Sequence, residues 1–386
     1  MIRAINDRLA LDLLVEHGPL SRAQLVRATG LSKQTVAELI DRLIAAGLAT
    51  EAGEGGHGSR GPSARVYGVV SSTAYVLGAE ITGTVVNASL ADITGRVVGE
   101  AVATAEPGGN SVELVRRTLT QAVADSGIEP GRLRSAVVGT PGTIDPRTGD
   151  IGLAWDLPGW YQGLPEALQS DLGCPVTLEN EVNLRAVAEH QVGSAADREN
   201  FALLALGHGV GMALVLGGQL HRGDAGAAGE IGFLALPGSP LGRLSQAGRP
   251  FTGGFQGLAG ESAIVELARR HGLSYPTAVE AVAEAPEDNA FLGELVERIA
   301  TGIASVCAVL DPGVIVLAGS VGRAVGDRLT PAIAMEVERI SPIRIQIRTT
   351  TVQDNAVLSG ARTTALDSVR TDVFGPVGAF APTGHA

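Results

Sequence analysis

The stretch SRAQLVRATGLSKQTVAELIDRLIAAG, residues 21–47, has the pattern of two short helices joined by a tight turn. Ser21 and Gln24 form a capping-box pattern at the start of the first helix. Gly30 predicts the end of that helix, because glycine readily adopts the left-handed conformation that a helix stop needs. Ser32 predicts the cap of a second helix, which ends at the last glycine of the stretch and has apolar residues at helical spacing. These apolar residues are Val36, Leu39, Ile40, Leu43 and Ile44.

The polar face of the second helix offers side chains that suit DNA. Its first turn begins with Lys33, the only lysine of the chain. Residues at the start of a recognition helix reach base edges and phosphates in the major groove, so the stretch predicts a helix-turn-helix. The alternative is an ordinary helical hairpin, because such short patterns produce false positives. The predicted DNA contacts, including two arginines of the segment that follows, are Arg22, Ser32, Lys33, Gln34, Thr35, Glu38, Arg60 and Arg65.

The flanking segments complete the layout of a winged helix. An apolar stripe predicts one more helix before the quoted stretch, and this helix ends at His17. After the stretch, residues 48–50 and 65–69 predict two short strands on either side of a glycine-rich loop. Three helices and a hairpin in this order predict a winged helix-turn-helix domain over residues 1–70. The stripe of the first helix consists of Ile2, Ile5, Leu9, Leu13 and Leu14.

The composition argues against membrane and secreted classes of protein. The chain has 45% hydrophobic and 3% aromatic residues and contains no apolar run of the length that a transmembrane helix needs. Its N-terminal segment carries charges throughout and lacks the apolar core of a signal peptide. Cys174 and Cys307 lack metal-ligand spacing and fit reduced core residues better than a disulfide. These features predict a cytoplasmic protein.

The charge of the chain is unevenly distributed. The whole chain carries a net charge of −12, yet residues 1–70 hold eight basic and seven acidic side chains, so the remainder carries −13. A nearly neutral DNA-binding domain on an acidic body binds DNA only through a small, oriented patch. We therefore expect weak nonspecific binding that depends strongly on salt.

Beyond residue 70 the pattern changes to alternating strands and helices. Three strands follow one another over residues 74–104, and a helix is predicted from Ser111 to Ala124. Later strands end in glycine-rich loops, and further helices are predicted around 261–271, 277–285 and 289–309. This alternation predicts an α/β body that binds ligands at strand ends.

The loops of this body resemble those of the ROK family of repressors, open reading frames and sugar kinases, and the resemblance spans nearly the whole chain. The N-terminal winged helix and the Glu-Asn-Glu motif at 179–181 are similar to those of the xylose-repressor group of that family. The resemblance rests on six segments in order: GTPGTID at 139–145, LAWDLPGW at 153–160, LENEVN at 178–183, GHGVG at 207–211, GEIG at 229–232 and DPGVIVLAGS at 311–320.

The resemblance implies a two-lobed actin/hexokinase-like ATPase fold with a sugar in the cleft between the lobes. It implies a first α/β lobe over residues 71–178, completed by a C-terminal helix, and a second over 179–370. Residues 371–386 are rich in proline, glycine and alanine and are expected to form a flexible tail.

The resemblance also implies a set of sugar-binding residues. The family's catalytic base is an Asp in an Asn-Asp-x-x-Asn context, and Glu181 takes that place here with one more methylene. We expect Glu181 to contact the sugar without acting as a catalyst. The alternative is an acid that the helix dipole favours at a helix N-terminus. The implied sugar contacts are Thr140, Pro141, Gly142, Asn180, Glu181, Glu230 and Gln256.

Both phosphate loops of the family are altered in this chain. The first hairpin lacks one glycine, which places a Cβ where the backbone should approach phosphate, and His208 replaces the hydroxyl residue of the second hairpin. Together with the altered base, these changes predict that ATP is not used. The alternative for each loop is a tight hairpin turn. The vestigial loop residues are Thr82, Gly83, Thr84, Gly207, His208, Gly209 and Gly211.

The structural zinc site of the family is lost. The family places a His directly after Gly-Glu-Ile-Gly and three Cys in a following run. Here Phe233 stands at the His position, and residues 247–254 contain no thiol. Because tetrahedral zinc needs about four N, S or O ligands, we predict no metal and no cofactor. The lost His also contacts the sugar in the family.

These observations favour a sugar-responsive transcriptional regulator of carbohydrate uptake or catabolism genes, with a repressor as the first hypothesis. It would bind a palindromic operator as a homodimer or homotetramer and release it when a carbohydrate occupies the cleft. One alternative is an active ATP-dependent sugar kinase that carries a DNA-binding head. Another is a regulator that has lost its sugar and responds to a protein partner.

Overall fold

Three helices and a small antiparallel sheet form the N-terminal domain, and they confirm the predicted winged helix. The computed structural model describes residues 2–55, 64–106, 110–129, 131–153, 163–239, 253–352 and 355–375. The helices are α1 (Ile2–His17), α2 (Arg22–Thr29) and α3 (Lys33–Ala45). The strands are β1 (Leu20–Ser21), β2 (Ala49–Gly55) and β3 (Ala64–Val69), in the sheet order β1-β3-β2.

The predicted helix caps are present. The Ser21 hydroxyl accepts a hydrogen bond from the Gln24 amide at 3.3 Å, and the Gln24 side chain accepts one from the Ser21 amide at 2.9 Å. Gly30 has a φ of 68° at the end of α2. Ser32 accepts from the Thr35 amide at 3.1 Å. Helix α3 buries the predicted apolar face with one exception, since Ile44 is 42% exposed.

The apolar stripe predicted for α1 is only partly correct, since Leu14 is buried and Leu13 packs against the core, but Ile2 and Leu9 are exposed. The helix buries Ala10, Leu11 and Leu14 together with the charged Arg8, whereas Ile2 is 76% and Leu9 is 40% exposed. The buried face contains an arginine whose polar atoms have partners elsewhere in the chain. Hydrophobic spacing alone therefore placed two exposed residues on the buried face and missed Arg8.

The first lobe is built on a five-stranded sheet with the order β10-β7-β4-β5-β6. Three antiparallel neighbours, β4, β5 and β6, come first in the chain, and two parallel strands, β7 and β10, follow. The strands of this lobe, including a two-stranded β8–β9 pair, are β4 (Tyr75–Ile81), β5 (Val85–Asp92), β6 (Val97–Thr104), β7 (Leu133–Thr140), β8 (Thr143–Ile144), β9 (Ile151–Leu153) and β10 (Val176–Asn180). Its helices are α4 (Ser111–Asp125) and α5 (Leu164–Leu172).

The second lobe has the same sheet topology as the first. If the sheet strands of each lobe are counted in chain order, both sheets have the order third, second, first, fourth, fifth. Its five-stranded sheet is ordered β13-β12-β11-β14-β15, again with three antiparallel neighbours followed by two parallel strands. The strands are β11 (Phe201–Leu206), β12 (Val210–Leu216), β13 (Gln219–Leu220), β14 (Val314–Ala318) and β15 (Gln346–Thr349). The remaining helices are α6 (Glu181–Val192), α7 (Gln256–Ala259), α8 (Glu261–Arg270), α9 (Ala278–Glu284), α10 (Ala290–Leu310), α11 (Gly319–Ile340) and α12 (Ala356–Phe374). This repeat of topology was not visible in the sequence.

The chain passes between the two lobes twice, after α6 and before α12. Helix α12 returns to the first lobe and packs against β4, β7 and α6. It ends at Phe374, so its last turn lies inside the segment predicted as a tail, of which residues 376–386 are outside the described residues. The predicted lobe boundary at residues 178 and 179 falls inside β10, which belongs to the first sheet.

Two further observations bear on the class of protein. In the part of the chain that the structure describes, no helix is long and apolar enough to cross a membrane. Cys174 and Cys307 are both free and buried, as predicted. Burial raises the pKa of each thiol to about 11, and the nearby charge of Asp311 contributes at Cys307.

Candidate functional site

The predicted sugar loop and the start of α6 lie side by side. Strands β7 and β10 are parallel neighbours, and they place Thr140 opposite Asn180. The Asn180 side chain donates a hydrogen bond to the carbonyl of Gly142 at 2.8 Å. Its oxygen accepts from the amides of Val182 and Asn183 at 2.8 and 3.3 Å and so caps α6. Asn180 therefore holds the loop and the helix together at the cleft.

Glu181, at the position of the family's base, is engaged in an ion pair. Its carboxylate lies 3.1 Å from the guanidinium of Arg185, which is itself 3.8 Å from Glu80 on β4. Burial raises the pKa of the Glu80 carboxyl, the charge of Arg185 opposes this rise, and the charge of Glu181 adds to it. The three side chains form a charged cluster on the first-lobe side of the cleft, and the sequence analysis did not identify Arg185 as a member.

An ion pair that the sequence analysis missed joins the two lobes. Glu179 of β10 is buried, and its carboxylate accepts from Arg222 Nε at 2.6 Å and from Asn183 Nδ2 at 2.8 Å. Arg222 follows β13 in the second lobe. The available signal was a carboxylate at the end of a buried strand, because such a group needs a partner.

The loop that follows Arg222 lies against the first lobe. At Gly226, which has a φ of 70°, a Cβ would stand 1.8 Å from the carbonyl oxygen of Ile144 on β8. At Gly229, with a φ of 94°, a Cβ would stand 1.9 Å from the carbonyl oxygen of Met212. Only glycine fits these two positions. Gly226 therefore packs against the segment that follows the Thr140–Gly142 loop, and Glu230 comes four residues later, next to a glycine that packs on β12.

Glu230 is a half-buried carboxylate to which no described residue donates a hydrogen bond. Burial raises the pKa of its carboxyl group, and among the described residues no cation opposes that rise. Buried carboxylates are normally paired or hydrogen-bonded. This side chain is thus available to a ligand that offers hydroxyl donors.

Gln256, a predicted sugar contact, makes two hydrogen bonds to the β11–β12 hairpin. Its Oε1 accepts from the amide of Val210 at 2.7 Å, and its Nε2 donates to the carbonyl of His208 at 3.0 Å. Each end of the amide thus makes one hydrogen bond to the β11–β12 hairpin, which leaves one N–H and one lone pair for a ligand. The direct sugar contact of Gln256 stays a prediction.

The two vestigial phosphate loops are closed hairpins. In the β4–β5 turn, the Thr82 hydroxyl accepts from the amide of Val85 at 2.9 Å. In the β11–β12 turn, the Gly207 amide donates to the Gly209 carbonyl at 3.1 Å. The side chain of His208 is 73% exposed, and its Nδ1 lies 3.9 Å from a carboxylate oxygen of Glu261.

The DNA-binding face of the N-terminal domain contains both paired and unpaired cations. Lys33 and Gln34 are exposed in the first turn of α3. Gln34 donates to Glu38 at 3.0 Å, and Ser32 is occupied as the helix cap. Arg27, at the end of α2, is exposed and, like Lys33, has no hydrogen bond or ion pair to a described residue. Arg27 was absent from the sequence prediction, although its place beside the turn was readable.

Two of the predicted DNA-binding arginines have partners within the domain. Arg22 lies 2.8 Å from Asp41 and stacks over the ring of Tyr67 at 5.3 Å. Arg65 lies 3.4 Å from Glu51 across the wing hairpin. Arg60 is outside the described residues. The prediction for these cations therefore requires that the pairs open or rearrange on DNA.

Comparison with known families agrees with this architecture. The ROK family model matches residues 76–367, and a MarR family model matches residues 6–58. The chain belongs to the ROK family.

Relatives within and around the ROK family include regulators and kinases. A putative xylose repressor of Caldicellulosiruptor sp. is 27% identical over 61% of this chain, and the match covers 60% of that relative's own length. The structure of a ROK family transcriptional regulator, a homologue of the E. coli MLC protein, has a TM-score of 0.70, 20% identity, and coverage of 97% of this chain and 99% of that one. The ROK hexokinase of Thermus thermophilus has a TM-score of 0.64, 27% identity, and coverage of 77% and 99%.

The position of the ROK zinc site contains Phe233, which lies in a single turn of 3₁₀ helix over Ile231–Phe233. Residues 247–252 of the run that is rich in Cys in other ROK proteins are outside the described residues. Among the residues that the structure does describe, no three His, Cys, Asp or Glu side chains are arranged to hold a metal ion. The absence of zinc and ATP from this ROK protein stays a prediction.

Proposed function

We propose that this ROK protein is a sugar-responsive transcriptional regulator, in the first instance a repressor. Its winged helix binds operator DNA, and a carbohydrate in the interlobe cleft lowers its affinity for that DNA. The observation that carries the proposal is the exposed turn face of Arg27, Lys33 and Gln34 on a winged helix joined to a ROK body. Cations and amides at the start of a recognition helix bind phosphates and base edges.

The cleft supports a carbohydrate as the effector. Glu230 offers a carboxylate to which no described residue donates, and it directly follows a loop in which Gly226 and Gly229 have positive φ angles. Carboxylates accept hydrogen bonds from sugar hydroxyls, and such sites combine few polar groups with close backbone approach. Differential binding of the sugar to two lobe arrangements would change the affinity for DNA.

The same cleft is poorly equipped for catalysis. A general base must be free to take the proton of the attacking hydroxyl, whereas Glu181 is held by Arg185 at 3.1 Å. Phosphoryl transfer also needs backbone amides that receive the phosphates, and both hairpins are closed on themselves. We therefore include in the proposal the absence of ATP turnover, of a zinc ion and of any other cofactor.

The proposal extends to assembly and location. Winged helices read half-sites in pairs, so we propose a homodimer or homotetramer on a palindromic operator. We also propose a cytoplasmic location, because a regulator of carbohydrate uptake or catabolism genes must reach chromosomal DNA.

Operator binding by the full chain tests the proposal. Fluorescence anisotropy with its own promoter region as the labelled duplex is expected to show specific binding at low salt, competed poorly by unrelated DNA. D-xylose, D-glucose and N-acetyl-D-glucosamine are the sugar probes, and one of them is expected to weaken binding. Absence of specific binding to any fragment at low salt would contradict the proposal.

A sugar kinase with a DNA-binding head is the second candidate, and the likeness to the Thermus thermophilus hexokinase favours it. Coupled ADP release with the same three sugars separates the two functions. Turnover of about 1–100 per second, the ordinary range of kinases, would establish the kinase. The regulator predicts no release above the rate without sugar.

A further inference from the structure

Helix α12 contacts three parts of the molecule that the proposed function must connect. It packs against β4 and β7 of the first lobe, against α6 at the cleft, and against α1 of the winged helix. Its 19 residues span about 28 Å at the rise of an α-helix. A continuous helix of this kind transmits displacement between its ends as a rigid rod.

The N-terminal half of α12 is packed closely against the elements that form the cleft. A Cβ at Gly139, next to the sugar loop, would lie 2.4 Å from the Val357 side chain of α12. A Cβ at Gly360 of α12 would lie 2.0 Å from the carbonyl oxygen of Leu184 on α6. Such close approach leaves no room for these elements to slide independently.

The C-terminal end of α12 is bound by Arg8 of the winged helix. The Arg8 residue is only 7% exposed, and its Nη1 donates to the carbonyl oxygens of Arg370 at 3.0 Å and Gly375 at 2.8 Å. Its Nε donates to both carboxylate oxygens of Asp12 at 2.9 and 2.8 Å. The C-terminal end of a helix carries partial negative charge, so a guanidinium is favoured there.

The apolar core of the winged helix is continuous with the side chains of α12. Leu11 and Leu14 of α1 belong to the same buried cluster as Ala365 and Val369 of α12. The Arg8 guanidinium also lies 5.8 Å from the centre of the Phe374 ring. The domain therefore shares a core with the body and cannot turn freely on a linker.

A second arginine anchors the same end of α12 to the first lobe. Arg370 Nε donates to the carbonyl oxygen of Ile93 at 3.0 Å, just after β5. Burial lowers the pKa of Arg370 and raises that of Asp367 on the same helix, whose charged neighbours are Arg370, Arg8 and Asp12. Arg8 is buried at this junction, Arg370 and Asp12 are half-buried, and together they link the first lobe, α12 and α1.

We propose that Arg8 is a positioning residue that locks the winged helix to the first lobe through the end of α12, so that the two move as one rigid body when the cleft opens or closes. The consequence for operator release rests on the proposed function, because a fixed head is displaced relative to the second lobe whenever the lobes rotate. The docking itself concerns the free protein and is testable without DNA or sugar.

Distance measurements between spin labels on the full chain test this proposal. Cys174 and Cys307 are buried, so cysteines introduced at the exposed positions Ala28 and Ser170 take the labels on the winged helix and first lobe. A second pair, Ala28 and Ser262, joins the winged helix to the second lobe. Dilution with unlabelled protein removes distances between subunits.

The first pair is expected to give one narrow distance distribution, which Arg8→Ala converts into a broad one. Arg3→Ala is the matched control, since Arg3 is an exposed cation on the same helix without a described partner, and it is expected to leave the distribution narrow. Arg8→Lys keeps the positive charge but loses the planar set of guanidinium N–H donors. Compared with Arg8→Ala, it is expected to restore the narrow peak only in part. If Arg8→Ala does not fold, Asp12→Asn is the substitute. It removes only the carboxylate that accepts from Arg8 Nε, and it is expected to broaden the distribution less than the loss of Arg8 would.

Loosening the lobes supplies the second arm of the test. Arg222→Ala removes the ion pair between the lobes, so it is expected to broaden the Ala28–Ser262 distribution and to leave the Ala28–Ser170 distribution narrow. A narrow first-pair distribution in Arg8→Ala, or equal broadening of both pairs in Arg222→Ala, would overturn the proposal. Failure of operator binding with these distances as expected would remove the proposed function and leave the docking intact.

Discussion

The cations of the winged helix fall into two groups: those paired with acidic side chains inside the domain, and those without a described partner. Arg22 and Arg65 have acidic partners inside the domain, whereas Lys33 and Arg27 flank the turn with no described partner. Surface ion pairs of this kind contribute little to stability, so opening them on DNA costs about 1 kcal/mol or less. Arg27 and Lys33, which have no partner among the described residues, are therefore the first choice for phosphate contacts.

Removal of either unpaired cation is expected to weaken operator binding. Lys33→Ala and Arg27→Ala should each lower affinity for all sequences alike and reduce the salt slope by about 1, since each removes one phosphate contact. Anisotropy titrations at several salt concentrations measure both effects. Arg323→Ala removes an exposed cation of the body that has no partner among the described residues, and it is the control that should change neither. An unchanged slope in Lys33→Ala would make Lys33 a solvated helix-start residue.

Glu230→Gln is expected to stabilise the fold and weaken sugar binding. Burial raises the folded-state pKa of Glu230 above its unfolded value, so its ionised form destabilises the fold. That penalty grows as the pH rises through the folded pKa and is absent below the unfolded pKa. The gain in free energy of unfolding should thus be largest near neutral pH and vanish in acid.

Denaturant titrations at several pH values measure the free energy of unfolding of this variant. Thermal shifts with added sugar measure its sugar binding. Glu284→Gln makes the same chemical change at an exposed carboxylate and should have no effect on either quantity. A lower stability of Glu230→Gln at neutral pH would show that the ionised carboxylate already has a partner in the free protein.

Arg222→Ala is expected to lower the free energy of unfolding by about 1–3 kcal/mol, because it leaves the buried Glu179 carboxylate without its cation. The half-exposed position of Arg222 limits the loss. Adding Glu179→Gln to this variant should recover part of it, since a buried amide is less costly than an uncompensated charge. Urea denaturation of the single and double variants measures the coupling, and strict additivity would contradict the ion pair.

Among the elements, local signals in the sequence were sufficient where both partners of an interaction lie within a few residues. The Ser21–Gln24 and Ser32–Thr35 caps were predicted because each spans three residues. The buried face of α1 was mispredicted in part, because Arg8 hydrogen-bonds with residues more than 360 positions away. The hydrogen bonds of Gln256 to the β11–β12 hairpin were not predicted for the same reason, since its partners are 46 and 48 residues distant.

The contact between α6 and α12 gives the prediction at the scale of elements. Gly360→Ala places a methyl group against the Leu184 carbonyl, so we expect a loss of about 1–3 kcal/mol or more from overpacking. Gly293→Ala, inside α10 with open space around it, is the matched control and should stabilise by about 0.5–1 kcal/mol through helix propensity. Thermal and chemical denaturation compare them. Equal effects of the two variants would contradict the close helix packing.

At the scale of the whole molecule, the acidic body limits how the protein binds DNA. The chain has a net charge of −12, with the slight positive excess in residues 1–70. With two unpaired cations in each of two winged helices, we expect log K to fall against log salt with a slope of about −4. Titration of operator affinity from low to moderate salt measures it. A slope near −10 would require phosphate contacts far beyond the face described.

The sequence by itself determined the winged helix, the α/β character of the body and, through ordered loop motifs, the ROK family. These features depend on capping, hydrophobic period and turn chemistry, all of which are local. Only the tertiary structure decided that Glu179 pairs with Arg222 across the lobes, that the two lobes share one strand order, and that Arg8 joins the winged helix to α12. Those contacts bring together charges and carbonyls from distant parts of the chain, and their energy depends on burial that no local pattern reveals.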